Sequence, residues 1–425
     1  MFSTIKDAWG IPEIRKKIIF TLIMMLVYRV GSAIPVPYMN TELIKKLFES
    51  TQGSMLDFMD MMSGGNFSRF SIFAANIYPY ITASIIIQLL TFAIPSLEEL
   101  SKEGAEGRKK LQNYTKITAI ILAFVQAIGF TFGIFKNAVE TSNFMQNMVI
   151  VFSIVGGTCF LVWIGNQITE HGIGNGISII IFLGIVGRIP TDFRKVYYGV
   201  QSGKISPISA ILFFIFAIFV VFVVVALNEG ERRVPVQYAK RVVGRKLYGG
   251  QNTHIPIKVS MAGVMPVIFS NAILSIPGMI TMMSPESGMG RFFANWFTTQ
   301  TVRGTVLYTI LNVVLIILFT FFYTSMQFNT VEYSKTLQQN GGFIPGIRPG
   351  RPTSDYLSKV VNRLIIVGAI ALAFLSTLPT FLTIFAKIPV AFGGTSLIIV
   401  VGVVIETVKS LEQMMLIRHY KGFLS

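Results

Sequence analysis

Six stretches of this chain contain no Asp, Glu, Lys or Arg: Phe70 to Leu97, Ile117 to Phe135, Thr141 to Thr169, Ile205 to Asn228, Val259 to Pro285 and Gly304 to Val331. A helix of about 20 apolar residues crosses the hydrocarbon core of a bilayer, and each run reaches or nearly reaches that length. One such run would fit the buried helix of a soluble protein. Six in 425 residues do not fit inside one globule. The charged fraction agrees: 13%, against about a quarter in soluble domains. The expected fold class is an all-α integral membrane protein.

Hydropathy places ten spans, near 18–36, 71–94, 116–135, 149–168, 173–188, 207–227, 259–282, 304–327, 363–385 and 393–412. The fifth reads as short. Lys and Arg concentrate in 1–17, 95–116, 228–258, 328–363 and the tail, which predicts both termini on the cytoplasmic side. The loop 188–206, with Arg188, Arg194, Lys195 and Lys204, is an exception on the outside. Residues 1–17 are amphipathic and basic and lack a cleavage site, so the first span is expected to stay in the mature protein. Five spans plus five is the count of an inverted repeat, with halves at 1–190 and 191–425. Residues 55–68 are rich in Met and Phe and broken at Gly64-Gly65. They suit either an interfacial helix or a half-helix that re-enters the membrane inside protein.

Ion-coupled transporters carry ionisable groups deep in their spans. Here only Arg29 and Glu406 approach that position, both near span ends where they can snorkel. The neutral polar residues Asn76, Gln88, Gln126, Asn166, Asn271 and Asn312 suit hydrogen bonding between helices. One cysteine, Cys159, and three scattered histidines, His171, His254 and His419, make neither a disulfide nor a metal set. There is no HExxH, no paired intramembrane Asp and no Walker motif, so no catalytic residue, metal or cofactor is assigned. The run Gly172-Ile173-Gly174-Asn175-Gly176 reads as a tight turn between helices.

Two loops are large and basic. Residues 228–258 alternate apolar and basic side chains, predicting a hairpin with a turn near Gly249-Gly250. It presents Arg232, Arg233, Tyr238, Lys240, Arg241, Arg245 and Lys246. Residues 328–357 contain Pro345, Pro349 and Pro352 among glycines, a stiff ledge presenting Arg348 and Arg351. With a net charge of +16, both suit acidic partners, RNA or anionic lipid. On residues alone, the chain is a membrane channel or a scaffold with docking loops; a small-solute transporter is disfavoured by the missing ionisable pairs.

Five motifs narrow this: FSRFSIF at 67–73 running into YPYITASIIIQLL at 78–90, ITE at 168–170 with GIGNGIS at 172–178, VPVQYAKR at 234–241, GGFIPGIRPGRPT at 341–353 and FGGTSLIIVV at 392–401. In these the chain resembles the SecY family, channel subunits of the bacterial Sec translocon, over essentially its whole length. The resemblance implies a channel, not an enzyme, in the cytoplasmic membrane, passing unfolded secretory polypeptides and releasing membrane segments sideways. It implies two five-helix halves around an hourglass pore closed by a ring of Ile77, Ile81, Ile181, Ile268 and Ile399. It implies a short plug helix over 58–70, with Phe58, Met61, Gly64, Gly65, Phe67 and Arg69. A lateral gate would lie between the second/third and seventh/eighth spans, which carry Gln88, Gln126 and Asn271. Implied partners are SecE and SecG as small membrane subunits, the SecA ATPase motor, the ribosome, signal-bearing preproteins and anionic lipid. The sequence departs from the family pattern at Asn76, where Gly is usual, and at Asn166, Glu231 and Gln338-Gln339.

Overall fold

In the computed structural model the described residues are 2–50, 60, 63–140, 143–203, 206–238, 241–243, 246–248, 252–283, 287–297, 302–386 and 394–422. An amphipathic helix α1 (Phe2–Gly10) leads into α2 (Pro12–Ser32), and α3 (Thr41–Ser50) follows. Next come α4 (Tyr78–Ala93), α5 (Pro95–Lys102), α6 (Ala105–Ile128), α7 (Phe144–His171), α8 (Gly176–Gln201) and α9 (Pro207–Glu229). Strands β1 (Glu231–Tyr238), β2 (Arg241–Val243), β3 (Lys246–Tyr248) and β4 (Asn252–Lys258) separate these from α10 (Met265–Met283). Helices α11 (Gly288–Phe297), α12 (Val302–Gln327) and α13 (Thr330–Gln339), strand β5 (Gly342–Phe343), α14 (Arg351–Ala386) and α15 (Gly394–Gly422) complete the chain.

Helices occupy all ten expected spans: α2, α4, α6 to α10, α12, α14 and α15. Among the described residues six are by themselves long and apolar enough to cross a membrane, or seven if the bent pair α4–α5 counts as one. That pair bends by 102° where Pro95 begins α5, since the residue before a proline is driven out of helical geometry. Other ends follow polar caps. Asn143, Asn175 and Asn329 accept backbone N–H bonds at the starts of α7, α8 and α13. Helix α6 ends in a π-helical turn, Gly129–Ile134, an uncommon conformation that concentrates at functional positions.

Two boundary differences bear on the site. The second span begins as helix only at Tyr78, because Asn76 holds φ at 50° and residues 66–77 run as turns and a short bridge. The fifth is not short: α8 extends 26 residues, past Pro190. Arg188 and Arg194 therefore lie on a helix and not in a loop from 188 to 206. The glycine-rich turn between α7 and α8 is present, with Gly174 at φ 72°. A Cβ on Gly176 would sit 1.9 Å from the Gly165 carbonyl oxygen, so only glycine admits this approach.

One apolar core runs from Tyr28 to Val403 and draws on both parts of the chain. A second, separate core lies under the strands and contains Val234, Val236, Ile257, Ile344, Leu357 and Val361.

Candidate functional site

Between α3 and α4 the chain turns inward instead of crossing. Asp60 and Ser63 are helical, and from Gly64 onward the backbone is a series of turns. Gly64 and Gly65, at φ 75° and 83°, end the helix as left-handed residues do. A helix through residue 70 is thus cut short at these glycines; Phe58 and Met61 lie outside the described residues. The segment is held from several sides. The Tyr28 hydroxyl donates to the Ser63 carbonyl at 3.3 Å and accepts from Asn66 Nδ2 at 3.1 Å. Val36 N–H donates to the Phe70 carbonyl at 2.9 Å. Phe67 and Phe70 are fully buried, and each packs edge-on against Phe135, with centroids 5.4 and 4.9 Å apart. Arg69 is exposed. Gly64 lies so close to Gly184 of α8 that a Cβ would meet its Cα at 2.7 Å.

The five isoleucines come from four helices and the turn before α4, and all five are buried in the main core. Ile77 closes the inward segment, and its carbonyl accepts the Ile81 N–H at 3.0 Å, which places the two one helical turn apart. Ile181 is on α8, Ile268 on α10 and Ile399 on α15. Phe67, Phe70 and Phe73 of the inward segment belong to the same core. Isoleucine offers a chain no hydrogen bond, and a narrow collar of such side chains excludes water and ions.

Helix α10 packs against α4 and against the π-helical turn of α6. Asn312 is a true helix-to-helix tie: its Oδ1 accepts from Ser270 Oγ at 2.7 Å and its Nδ2 donates to Ser376 Oγ at 3.2 Å, joining α10, α12 and α14. Three other amides differ. Gln88 donates to Ser84 Oγ at 3.1 Å, but its Oε1, Gln126 Oε1 and Asn271 Nδ2 are buried with no hydrogen-bond partner among the described residues. Their helices, α4, α6 and α10, are those that meet at this seam.

The two basic loops fold into one unit. Strand β1 pairs antiparallel with β4 from Glu231↔Lys258 to Gln237↔Asn252, and with β5 at Gln237↔Phe343 and Tyr238↔Gly342. Val234 and Val236 face the second core, whereas Arg232 and Arg233 are exposed. The reversal expected at Gly249-Gly250 is placed elsewhere: β2 and β3 pair with Val243 opposite Lys246, which leaves only two residues for the connection. Lys240 and Arg245 lie outside the described residues, as do the side chains of Arg241 and Lys246. The ledge is locked through its backbone: the Gly350 carbonyl accepts from the Ser334 side chain, Oγ, at 2.6 Å and from Thr353 N–H at 3.1 Å. Arg348 and Arg351 project from it, exposed. Lys258, at the end of β4, has its pKa lowered, chiefly by partial burial and then by the like charge of Lys409.

A family model described as SecY matches residues 71–408. The chain belongs to the SecY family. Protein translocase subunits SecY from Bacillus subtilis and Aquifex aeolicus are 42% and 41% identical to it. The alignments cover 100% of this chain with 100% and 99% of those proteins. That of Escherichia coli strain K12 is 41% identical over 98% of this chain and 95% of its own length. Among solved structures, a protein-conducting channel superposes with TM-score 0.70 at 20% identity, covering 94% of this chain and 92% of that one. The channel of a canine ribosome complex from the endoplasmic reticulum superposes at 0.65 and 19% identity, with the same coverage. The SecY fold and a place in the membrane are thereby shared.

Two features of this SecY-family chain escape sequence reasoning. The strand β5 is two residues long and has no periodicity to detect. Asp60, Arg188 and Asp192 form a buried charged group that hydropathy hides, because Arg188 ends the apolar run and reads as a loop charge. The Asn175 cap and the i,i+4 spacing of Arg188 and Asp192 are the signals that could have extended the helix.

Proposed function

We propose that this chain is the conducting subunit of a protein translocase in a bacterial cytoplasmic membrane, with both termini inside. Residues 58–70 act as the plug and Ile77, Ile81, Ile181, Ile268 and Ile399 as the ring that seals it. The supporting observation is the inward-turning segment itself. It is packed on the main core by Phe67 and Phe70 and runs without interruption into Ile77 and Ile81. An apolar collar grips no passing peptide, because it offers nothing to hydrogen-bond. The seam between α4/α6 and α10/α12, with Gln88, Gln126 and Asn271, is the lateral exit, through which apolar segments partition into lipid. About 25 cal/mol per Å² of apolar surface removed from water drives that step.

The channel has no energy source of its own in this reading. The strand unit and ledge take the motor or the ribosome, with Arg232, Arg233, Tyr238, Arg348 and Arg351 in contact and the basic residues of 239–248 beside them. SecE and SecG complete the membrane complex, and anionic lipid neutralises the remaining positive charge. The halves 1–190 and 191–425 hinge about the pore; since α8 continues to Gln201, the hinge belongs after that helix.

The test is reconstitution of the purified complex in vesicles with SecA, ATP and a signal-bearing preprotein. Protease-protected preprotein that depends on ATP is the expected result. Solute counterflow without preprotein import would overturn the reading in favour of a small-solute transporter.

A further inference from the structure

The inward segment touches α8 through charge as well as through glycine. Asp60 Oδ2 accepts from Arg188 Nη1 at 2.8 Å, and both side chains are enclosed, with 6% and 7% of their surface exposed. Asp192, one turn further along α8, sets its Oδ1 3.7 Å from Arg188 Nε and is 5% exposed. The other Asp60 oxygen accepts the Ser68 N–H at 2.6 Å, and the Asp60 carbonyl accepts Gly65 N–H and Ser63 Oγ, both at 2.9 Å. The carboxylate therefore ties the turns at 63–68 to the charge on α8. Nearby, Arg29 of α2 donates Nη2 to the Leu183 carbonyl at 3.2 Å and lies over Gly187.

We propose that Arg188, oriented by Asp192, is a positioning residue that latches the plug through Asp60. This rests on the reading of residues 58–70 as the plug. The physical case is the asymmetry of buried ion pairs. A paired buried charge gains little over a well-packed apolar contact, but a buried charge that loses its partner is strongly unfavourable. Asp60 and Arg188 thus stabilise the seated plug only as a pair. Once the segment is displaced, Asp60 regains water, while Arg188 keeps Asp192 beside it. The displaced state is then not penalised by a stranded cation. The contact releases as a unit, and the close approach of Gly64 to Gly184 sets the register in which it re-forms. A purely apolar plug would lack that register.

The experiment is single-channel recording of the complete reconstituted complex, without motor or preprotein, for Asp60→Asn, Arg188→Gln and the double variant Asp60→Asn/Arg188→Gln. Arg188→Gln leaves Asp60 and Asp192 buried without their common cation. Its resting openings are expected to rise on the order of tenfold or more. Asp60→Asn keeps an oxygen for Ser68 N–H and is expected to leak less than Arg188→Gln. The double variant is expected to be tighter than Arg188→Gln, because only Asp192 of the two carboxylates then remains without the cation; such non-additivity marks a direct pair. Resting openings unchanged in both single variants, or increases that simply multiply in the double, would overturn the latch. Thermal unfolding of each purified complex identifies a variant that misfolds. Should Arg188→Gln misfold, Asp60→Asn, which preserves shape, carries the test alone: parental tightness then counts against the latch. Deleting 58–70 separates the two readings. If the deletion does not raise resting conductance, the plug reading fails; if it does while the single variants stay silent, only the latch fails.

Discussion

Asn76 holds φ at 50° one residue before Ile77, with its N–H bonded to the Phe73 carbonyl at 2.9 Å. Left-handed backbone costs an ordinary L-residue roughly 1–2 kcal/mol, and Asn and Gly escape most of it. This accounts for the departure that the resemblance implies beside the proposed ring: asparagine, like glycine, accepts the left-handed turn. Asn76→Gly is expected to fold with a thermal midpoint close to the parent. Asn76→Ala is expected to lose about 1 kcal/mol, read from its unfolding midpoint in detergent. Equal midpoints for the two variants would show that the left-handed turn is not what selects the residue. The type of residue was visible in the sequence, but the reason was not, since no local pattern announces a positive φ in an apolar run. The buried charges were hidden for the opposite reason. Arg188 and Asp192 look solvated in any window-based reading, and in the fold Asp60, 128 positions from Arg188, joins them in a buried group.

At the scale of elements, the basic loops behave as one folded body. Alternation along 231–238 makes β1 legible, because a strand with one covered face must place Val234 and Val236 on the same side. Its partner β5, about a hundred positions further on, was not legible, and so the loops read as two separate docking sites. The shared core under them predicts that folding and docking can be separated. Val236→Asp puts a charge into a site 1% exposed and is expected to unfold the strand unit, read as rapid protease cleavage within 231–258 while the spans stay intact. Arg348→Glu changes only an exposed side chain on a ledge held through its backbone. It is expected to leave protease resistance unchanged and to abolish motor-driven import. Normal import by Arg348→Glu would remove that residue from the docking surface, whatever Val236→Asp does.

For the whole molecule, the ten spans were legible because charge-free length is a property of the chain that tertiary contacts cannot disguise. How the spans meet was not, and the seam shows why this matters. Asn312 resembles Asn271 in any sequence reading, yet it is fully tied between Ser270 and Ser376, while Asn271 Nδ2 has no partner among the described residues. A buried polar atom left unsatisfied costs about 1–3 kcal/mol. In the proposed lateral exit, the unsatisfied Gln88 Oε1, Gln126 Oε1 and Asn271 Nδ2 weaken the closed state, as an exit that parts for each membrane segment requires. Asn271→Leu removes one such penalty and adds apolar contact, so the closed state is expected to gain on the order of 1 kcal/mol. The consequence is measurable with a series of test segments graded in leucine content, scored for lateral insertion against full translocation. The half-insertion point is expected to move toward more apolar segments in Asn271→Leu. Asn312→Leu, which breaks bonds that are satisfied among α10, α12 and α14, is expected to lower thermal stability instead. An unmoved insertion threshold in Asn271→Leu, with the protein folded, would mean that segments do not leave along α10.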